Sequence, residues 1–450
     1  MDHRTRARVA MPVWVVVLGD FGRSPRMQNH TTSLAQQAGL DVHVLAYTTT
    51  SLPKSCQAPN ITLHSLAPPP AWIAGLPRIL ALILKALIQA WALLANMLFR
   101  MPRPSLVLLQ VPPAIPVMAV CWLACWRHRA ALVLDWHNFG YTLMAMSMGR
   151  QHWLVRQAEG FERFWAKRAT ASLCVTQAMQ RELALIWDVQ ATVFHDQPPA
   201  HFQRSTLEEQ HALLSKLQPL LAEPMHPNDF CAASLRPKHA LPHTVPENDA
   251  DWLLVSRSEC PGNHASPTVD GQIERREGAP ALLVSSTSWT VDEDFRLLLD
   301  AALLYDREAG KEQASLPQVL VIVTGKGPQK EMYKERMRKL DLRHVAFRTA
   351  WLEPGDYPCL LGSADLGVCL HTSSSGLDLP MKVVDMFGCS LPACAVAYSC
   401  IGELVQDGIL GEAAERARKH DKDRSRGALL HTWGQQSSAS RPFESVLVSQ

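Results

Sequence analysis

The sequence predicts an α/β protein with two doubly wound domains, each built on a parallel β-sheet. Short apolar runs of strand length alternate with helical stretches, first over residues 13–175 and again over residues 281–396. Between them, residues 200–278 carry scattered Pro and His and show little periodicity. We therefore predict an N-terminal domain over 1–199, a linker or poorly ordered insertion over 200–278, a C-terminal domain over 279–405 and an atypical tail over 406–450.

The composition excludes several classes of protein. The chain has 450 residues, and its 44 Lys and Arg residues nearly balance 42 Asp and Glu residues, which leaves a net charge of +2. This balance gives no global field that would attract nucleic acid, so no nucleic-acid partner is expected. The 11 cysteines include no C-x-x-C pair, which argues against a secreted disulfide framework and against a structural zinc site. We expect free thiols in a reducing compartment and no metal ligands among the site residues.

The N-terminal pattern begins with a β-α-β unit. An apolar, β-branched strand is predicted at 13–18, a helix at 27–38 and a second strand at 42–46. Strands separated by helices favour parallel sheets, which bind ligands at the carboxyl ends of their strands. Further strands are predicted at 106–109, 131–134, 172–175, 281–284, 319–323, 345–347, 366–369 and 393–396, and further helices at 207–221, 292–309 and 329–340.

Residues 78–99 form a separate apolar segment, which as a helix would be about 31 Å long. Its polar residues Arg78, Lys85, Gln89 and Asn96 fall within an arc of about 40° at ~100° per residue. A helix that spanned a bilayer would bury Lys85 in it, so an interfacial or shallowly inserted helix is favoured. The alternative is a large helix that its own domain buries.

The most informative segment is 365–392. It predicts a strand, then a small polar loop, then a helix that Pro380 opens at its first position. Small residues leave backbone N–H groups free to face a ligand at the positive end of a helix, so this loop is a candidate cradle for a diphosphate. The cradle would be formed by Ser373, Ser374, Ser375 and Gly376.

Three charged residues accompany this loop. Lys382, on the first turn of the predicted helix, would add positive charge beside a diphosphate, while Asp378 and Asp385 would accept hydrogen bonds from sugar or ribose hydroxyls. The alternative is a well-capped helix with a structural role only.

Two more polar loops follow predicted strands of the C-terminal domain. One contains Ser286 and Thr287, and the other contains Lys326, which could meet a phosphate or a carbonyl. Because the carboxyl ends of parallel strands share one edge of a sheet, both loops are expected beside the diphosphate cradle.

The N-terminal domain contains two candidates for a general base. Asp20 lies in the loop after the first strand, and His137 follows the strand at 131–134. A neutral histidine in this position can remove a proton, bind a hydroxyl group or serve the structure alone. Glu162 and Arg163, on a later helix, are expected to be solvated.

Competing chemistries lack their motifs. The chain has no G-x-x-x-x-G-K-[ST] loop, no H-E-x-x-H and no G-x-S-x-G elbow in a convincing context. Gly19 and Gly22 do not complete the dinucleotide fingerprint, which disfavours a nicotinamide enzyme.

Five segments together closely resemble the chitobiosyldiphosphodolichol β-mannosyltransferase family, namely 19–28, 135–138, 281–289, 324–328 and 361–388. The resemblance covers about residues 13–405 and implies a GT-B fold, in which two Rossmann-like domains face each other across a cleft. It also implies transfer of the first mannose from GDP-mannose, in β1,4 linkage, to GlcNAc2-diphosphate-dolichol for protein N-glycosylation. The expected place is the cytosolic face of the endoplasmic reticulum membrane.

The resemblance also implies roles for the candidate residues. The C-terminal domain would bind GDP-mannose, with its ribose near Asp385, no tightly bound cofactor and a possible Mg²⁺ dependence. Related enzymes place an Arg/Lys pair after the first strand of that domain, and residues 285–294 lack it, so Lys326 and Lys382 would neutralise the diphosphate. The dolichol-linked acceptor would approach the N-terminal domain at the membrane surface. Because the reaction inverts the anomeric carbon, Asp20 or His137 would deprotonate the acceptor hydroxyl.

The resemblance ends at residue 405. Family members continue through a further strand and closing helices, whereas residues 411–450 are charged and then rich in Ser and Gln, so the C-terminal closing elements are expected to be missing. Two alternatives therefore stand beside the mannosyltransferase. One is a non-catalytic isoform that scaffolds other mannosyltransferases of the pathway at the membrane, and the other is a transferase that uses another nucleotide sugar or lipid acceptor.

Overall fold

The computed structural model describes residues 12–221, 224–226, 229–230, 255–257, 273–275, 279–290, 293–312 and 316–406. Two compact units divide the chain: the first runs to Asp196 and includes Ser373–Leu379, and the second takes Gln197–Thr372 and the chain from Pro380 onward. The predicted tail lies outside the described residues from 407 onward, so the expectation that the closing elements are missing stays a prediction.

The first unit is built on a seven-stranded parallel sheet in the order β3-β2-β1-β4-β5-β6-β7. The six apolar residues 13–18 of the first strand are all buried, as is typical of a central strand in a parallel sheet. The strands are β1 (Val13–Asp20), β2 (Val42–Tyr47), β3 (Ile61–Ser65), β4 (Leu106–Val111), β5 (Ala131–Trp136), β6 (Ala171–Cys174) and β7 (Thr192–Val193). The α-helices are α1 (Pro25–Thr32), α2 (Arg78–Ala95), α3 (Val117–His128), α4 (Gly140–Met148), α5 (Trp153–Ala166) and α6 (Gln177–Trp187).

The second unit contains a five-stranded parallel sheet in the order β12-β11-β10-β13-β14 and a short antiparallel pair, β8-β9. Its strands are β8 (Val255–Arg257), β9 (Ile273–Arg275), β10 (Ala281–Ser286), β11 (Val319–Thr324), β12 (Val345–Ala350), β13 (Leu366–Cys369) and β14 (Ala393–Ala395). Its α-helices include α7 (Leu207–Leu221), α8 (Arg296–Ala309), α9 (Lys330–Arg338), α10 (Asp356–Ser363) and α11 (Met381–Gly388). Every strand predicted from the sequence is present, and the two parallel α/β domains are confirmed.

The start of the predicted linker is instead part of the second unit. Helix α7 has the predicted bounds, but its leucines Leu213, Leu214, Leu217 and Leu221 are buried in the same core as β10, β11 and α10. An interdomain linker would leave such side chains in solvent, so the boundary at 200–278 is wrong for this helix. Much of the rest of that span lies outside the described residues.

The predicted diphosphate loop also differs in its domain. Residues Ser373–Leu379 pack with the first unit, although the chain on either side belongs to the second. Leu377 contacts the hydrophobic core of the first unit, and its carbonyl accepts a hydrogen bond from Thr176 Oγ1 at 2.5 Å. These contacts place the loop outside the predicted domain 279–405.

The apolar segment forms helix α2, which continues as a π-helical turn, Asn96–Arg100. Of the described residues, Leu80–Arg100 alone is long and apolar enough to cross a membrane, and only 17% of its apolar window is buried. The alternative of a helix buried by its own domain is therefore wrong.

Candidate active site

The candidate site of the first unit lies at the carboxyl edge of its sheet, where β1 pairs with β4 and the strand order reverses. Ligands of open α/β sheets bind outside the carboxyl ends of the strands at this reversal. Asp20 is the last residue of β1, and Asp135 is the penultimate residue of β5, the next strand beyond β4. Of the two predicted base candidates, Asp20 therefore ends a strand and is not in the loop after it, and His137 directly follows β5; both lie at the binding edge.

The Asp20 carboxylate is held by the loops around it. It accepts hydrogen bonds from Thr49 Oγ1 at 2.5 Å, Thr50 Oγ1 at 2.8 Å and the Gly22 N–H at 3.3 Å. The hydrogen bond from Thr49 is the main cause that lowers the pKa of Asp20 to about 2. So acidic a group is a weak base at neutral pH. The geometry gives Asp20 the role of fixing the loops that follow β1 and β2.

Asp135 is fully buried, and three side chains hold its carboxylate. Arg26 donates from Nε (2.8 Å) and Nη2 (2.7 Å), His30 Nε2 lies 3.2 Å away and His137 Nε2 lies 2.9 Å away. Burial alone would raise the pKa of Asp135, but the charges of Arg26, His137 and His30 outweigh it and hold the pKa well below its usual range. The carboxylate is therefore ionised, with Arg26, His30 and His137 at Oδ2 and Arg26 at Oδ1.

Arg26 also connects this cluster to the last residues of the first unit in the chain. Its Nη1 donates to the Phe194 carbonyl at 2.7 Å and to Asp196 at 3.0 Å. One buried guanidinium thus connects α1, β5 and the chain that leaves β7. Removal of one partner from such a buried cluster costs about 3–5 kcal/mol, because it leaves an uncompensated charge.

The ionised Asp135 fixes the tautomer of His137. A carboxylate cannot donate, so the neutral ring must carry its proton on Nε2, and Nδ1 then keeps a lone pair. The His137 side chain is 22% exposed, whereas Asp135 is 0% exposed. The orientation of the partly exposed His137 ring is therefore set by a buried carboxylate, an arrangement that suits a general base.

Asn138 connects this strand end to the loop at 373–379. Its Nδ2 donates to Ser374 Oγ at 3.1 Å and to Asp378 Oδ1 at 3.0 Å. Its Oδ1 accepts from the Phe139 N–H at 2.7 Å, just before α4 begins. The polar loop predicted to bind a donor thus lies beside the residues predicted to bind an acceptor.

The hydroxyls of this loop are used within the loop. Ser373 Oγ accepts from the Gly376 N–H at 2.8 Å, and Ser375 Oγ accepts from the Leu377 N–H at 3.2 Å. Ser373 also donates to Asp378, as does Ser375 at 3.2 Å. In this conformation these N–H groups have partners and a carboxylate lies among them, so the geometry does not support the predicted N–H cradle.

The helix after the loop also begins later than predicted. Helix α11 starts at Met381, with Pro380 as its N-cap and not its first residue. Asp378 is consequently outside the helix, and Gly376 needs its positive φ of 73° to form the preceding turn. Asp378 and Asp385 therefore do not share one helical face.

The second unit has a different polar centre, around Glu293. This carboxylate is buried and accepts from Thr287 Oγ1, from the Ser288 N–H at 2.7 Å and from Lys382 Nζ. His371 Nδ1 lies 4.0 Å from it, and the two residues form an isolated antiparallel bridge. Glu293 thus connects the loops after β10 and β13 with the first turn of α11. Lys382, predicted to face a diphosphate, is paired with a carboxylate here.

Ser286 and Asp385 lie around a partly buried tyrosine of the second unit, Tyr357. Ser286 Oγ donates to Tyr357 Oη at 3.0 Å and accepts from Thr324 Oγ1 at 3.3 Å. Burial raises the pKa of Tyr357, and the negative charge of Asp385 adds to this effect. The structure therefore brings Ser286 and Asp385 close to the same tyrosine.

Lys326 stands between two glycines that allow two loops to touch. A Cβ at Gly325 would lie 1.8 Å from the Thr287 carbonyl oxygen, and a Cβ at Gly327 would lie 1.8 Å from that of Ser288. Gly325 also has a φ of +129°. Lys326 Nζ lies 3.9 Å from the ring centroid of Trp351, a cation–π contact. The glycines serve loop packing, and Lys326 is exposed.

The sequence analysis missed several residues that organise these centres. Arg26, Asp135, Asn138, Glu293 and Tyr357 were not candidates, although Asp135 and Asn138 flank His137 in the chain. A charged residue at the end of an apolar strand was the available signal for Asp135, because a buried charge requires partners.

Glu162 was expected to be solvated, and this expectation is wrong. Its side chain is buried beneath the start of α4, where it accepts from the Gly140 N–H at 3.2 Å. Burial raises the pKa of Glu162 to about 8. Arg163, the other residue of that expectation, is exposed.

Sequence comparison supplies the family. A model of the glycosyl transferase 4-like domain matches residues 24–195. Relatives named chitobiosyldiphosphodolichol beta-mannosyltransferase include the mouse protein, 43% identical over 88% of this chain and 76% of its own, and the human protein, 42% identical over 91% and 83%. The chain belongs to this mannosyltransferase family. A further relative, from Arabidopsis thaliana, is 49% identical over 88% of this chain and 84% of its own and is named UDP-glycosyltransferase TURAN.

Solved structures support the fold of this mannosyltransferase family member. Sucrose-phosphate synthase from Thermosynechococcus elongatus matches with a TM-score of 0.54 at 10% identity, over 92% of this chain and 90% of its own. The Anabaena HepE protein, in complex with UDP and glucose, matches with a TM-score of 0.52 at 13% identity over the same shares. At these identities the likeness shows the fold alone, which is GT-B, as the resemblance implied.

Within the described residues of this mannosyltransferase family member, no group of three or more His, Cys, Asp or Glu side chains is arranged to hold a metal ion. The cluster around Asp135 is occupied by the guanidinium of Arg26.

Proposed function

We propose that this chain transfers the first mannose from GDP-mannose, in β1,4 linkage, to GlcNAc2-diphosphate-dolichol. The observation that carries the proposal is the similarity to relatives named for this activity, which extends over 395–415 residues at 42–43% identity. The aligned length exceeds either unit, so both parallel sheets fall within it. The chain is accordingly a glycosyltransferase.

The proposed base is His137. The acceptor hydroxyl would give its proton to Nδ1 as its oxygen attacks the anomeric carbon, and the bond from that carbon to the diphosphate would break with its electron pair on GDP. Support comes from the Asp135 carboxylate, 2.9 Å from Nε2, which would stabilise the imidazolium that forms. Asp20 is the weaker candidate because its pKa is lowered to about 2.

The proposed donor residues belong to two groups. In the second unit, Lys326 and Lys382 supply positive charge for the diphosphate, while Ser286, Thr287 and Asp385 lie at the same carboxyl edge of the sheet. In the first unit, residues 373–378 form the polar loop beside Asn138. A requirement for Mg²⁺ remains part of the proposal, and assay with EDTA followed by MgCl₂ measures it.

We place this activity at the cytosolic face of the endoplasmic reticulum membrane, where the dolichol-linked acceptor would lie in the bilayer. Support comes from helix α2, an exposed apolar helix of the first unit. Other mannosyltransferases of the same pathway are proposed as neighbours at that surface.

The test is transfer of labelled mannose from GDP-mannose to a GlcNAc2-diphosphate-lipid by the purified chain, beside Asp385→Ala. We expect product from the parent and at least about tenfold less from the variant, since a lost hydrogen bond to the donor costs about 1.5 kcal/mol. A folded parent that binds GDP-mannose without turnover would contradict the proposal and favour the scaffolding isoform.

A second candidate is a transferase for another nucleotide sugar. The name of the Arabidopsis relative, UDP-glycosyltransferase, favours it. Competition between GDP-mannose and UDP-glucose or UDP-GlcNAc in the same assay separates the two. Transfer from a UDP-sugar that exceeds transfer from GDP-mannose would replace the first proposal.

A further inference from the structure

Helix α2 reverses the usual amphipathic arrangement of a surface helix. Its outward side carries Leu80, Ile83, Leu87 and Trp91, of which Trp91 is 69% exposed. At ~100° per residue these four side chains share an arc of about 80°, and Gln89 lies on the opposite side. Soluble helices turn such an apolar arc inward, so the outward side of α2 suits an apolar medium.

Toward its C-terminal end the polar side of α2 faces its own unit, whereas Lys85 on the same side is exposed. Gln89 Nε2 donates to Tyr47 Oη at 3.1 Å, and Asn96, in the turn that follows α2, is buried. Leu93 and Met97 are fully buried in the core of the first unit. The C-terminal half of this helix is therefore fixed to the unit by a hydrogen bond and by packing.

This attachment determines how the helix can meet a membrane. The segment Leu80–Arg100 is long enough to cross a bilayer, about 31 Å against a hydrocarbon core of ~30 Å. If the helix crossed the bilayer, its last turns would have to leave the core that holds Leu93 and Met97. Otherwise the polar edges of the sheet would have to enter the bilayer with them. A helix that lies in the plane of the interface keeps both its core packing and its apolar contacts.

A second group of side chains continues this surface at the ends of α2 and α3. His128 Nε2 lies 3.3 Å from the Met97 carbonyl oxygen, which joins the two helix ends. Next to this contact in the chain, Phe99 is 80% exposed and Trp126 is 67% exposed. Aromatic side chains of this kind are typical of the boundary between lipid chains and headgroups.

Four arginines lie near Phe99 and Trp126 in the chain, at the two helix ends that these contacts join. Arg103 Nε donates to the His128 carbonyl at 3.0 Å, and the exposed side chains of the group are Arg100, Arg103, Arg127 and Arg129. Among the described residues none of the four has a carboxylate partner. Unpaired guanidinium groups beside exposed aromatic rings fit the phosphates of anionic lipid headgroups.

We propose that the outward side of α2, with Phe99, Trp126 and the four arginines, is a docking surface for an anionic lipid bilayer, and that α2 lies in the plane of that bilayer without crossing it. The inference deepens the proposed function, on which it rests for the presence of a membrane-bound acceptor. It assigns the surface by which the first unit would approach that acceptor.

Depth measurement tests the orientation. A fluorescent amino acid is incorporated at position 83 or 99 of the full chain, and its quenching by lipids with spin labels at shallow and deep positions is compared. The two positions are about 24 Å apart along a helix. With the spin-labelled lipids in the outer leaflet only, we expect equal, shallow quenching at both positions, whereas quenching at one position and little at the other would show a crossing helix and overturn the proposal.

Vesicle binding tests the surface itself. We expect Ile83→Glu with Trp91→Glu to weaken binding to phosphatidylcholine–phosphatidylserine vesicles by at least about 100-fold. Arg100→Gln with Arg127→Gln should weaken it by about 30-fold and remove most of the dependence on phosphatidylserine. Leu304→Glu, at a 60% exposed leucine on α8, is the matched control and should bind as the parent does.

A soluble acceptor separates the two proposals. Both surface variants should transfer mannose normally to a short-chain acceptor in detergent and poorly to a dolichol-linked acceptor in vesicles. Parent-like vesicle binding by Ile83→Glu with Trp91→Glu would overturn the docking surface. It would do so even if that variant lost a contact with another mannosyltransferase. Normal docking without any transfer would instead contradict the proposed function.

Discussion

The side-chain amide of Asn138 lies 3.0 Å from the carboxylate of Asp378, 240 positions later in the chain. Ser373–Leu379 thereby belongs to the first unit, although both of its ends lead into the second. Its sequence alone suggested a cradle in the second domain, because nothing in a serine-rich loop specifies which neighbour its carboxylate finds.

A charge exchange tests this contact. Asn138→Asp keeps the oxygen that accepts from the Phe139 N–H but places a second carboxylate against Asp378, so we expect kcat/KM to fall by about tenfold or more. Asp378→Asn alone should cost less, and the double variant should recover most of the loss, because it restores one donor and one acceptor. A double variant as poor as Asn138→Asp would contradict the pairing. The measurement is mannose transfer at subsaturating acceptor.

Substitution of the two base candidates separates them. We expect His137→Gln to lower kcat by about 10²–10⁴-fold with little change in the KM for GDP-mannose, since a general base acts in the transition state. Asp20→Asn should retain much more activity, because its carboxylate accepts loop hydrogen bonds and has a pKa of about 2. The reverse order of losses would assign the base to Asp20.

The pair Glu293–Lys382 is expected to act on donor binding. Glu293→Gln keeps an acceptor for the Ser288 N–H but removes the charge that orients Lys382, and Lys382→Met removes the ammonium group itself. Each should raise the KM for GDP-mannose several-fold and change kcat less. Lys334→Met is a control, because that lysine pairs with the exposed Glu331 on α9. An unchanged KM in Lys382→Met would remove this residue from the donor site.

Glu162 should make stability depend on pH. Its carboxyl has a pKa of about 8 when folded and about 4.5 when unfolded, so the folded state binds the additional proton between these values. The free energy of unfolding should then decrease as pH rises through this window, by at most about 1.4 kcal/mol per pH unit. Glu162→Gln cannot ionise and should flatten this decrease.

Urea unfolding at pH 5.5 and at pH 8, followed by a probe in the first unit, measures the effect. Asp188→Asn is the matched control, because that side chain is 89% exposed in the same unit. A parent protein whose stability rises over this interval, with the same rise in Glu162→Gln, would show that Glu162 is ionised throughout.

Much of the fold was predictable because apolar strands of parallel sheets are continuous in sequence. β11 (Val319–Thr324) is apolar in its first five positions and was found; β3 (Ile61–Ser65), an edge strand with exposed positions, was not. The contacts of the site residues were less predictable, since they join residues that are far apart in the sequence. Glu293 looked like one acid of an exposed helix start, and only its contacts with Thr287 and Lys382 show otherwise.

Arg26 is a second residue whose contacts the sequence does not predict. It lies in a conspicuous segment after β1, yet its partner Asp135 is 109 positions away, and no periodicity relates them. Local rules place strands and loops, whereas long-range ion pairs require the folded chain.

The packing of α7 has a practical consequence for dividing the protein. Its four leucines complete the core beneath β10, and at about 1.5–3 kcal/mol for each fully buried leucine their loss would be comparable to the ~5–15 kcal/mol by which most domains are stable. A fragment that starts at residue 279 lacks these leucines and would therefore be expected to aggregate. A fragment that starts at Gln197 keeps them. The autonomous folding unit begins with a helix that precedes its sheet.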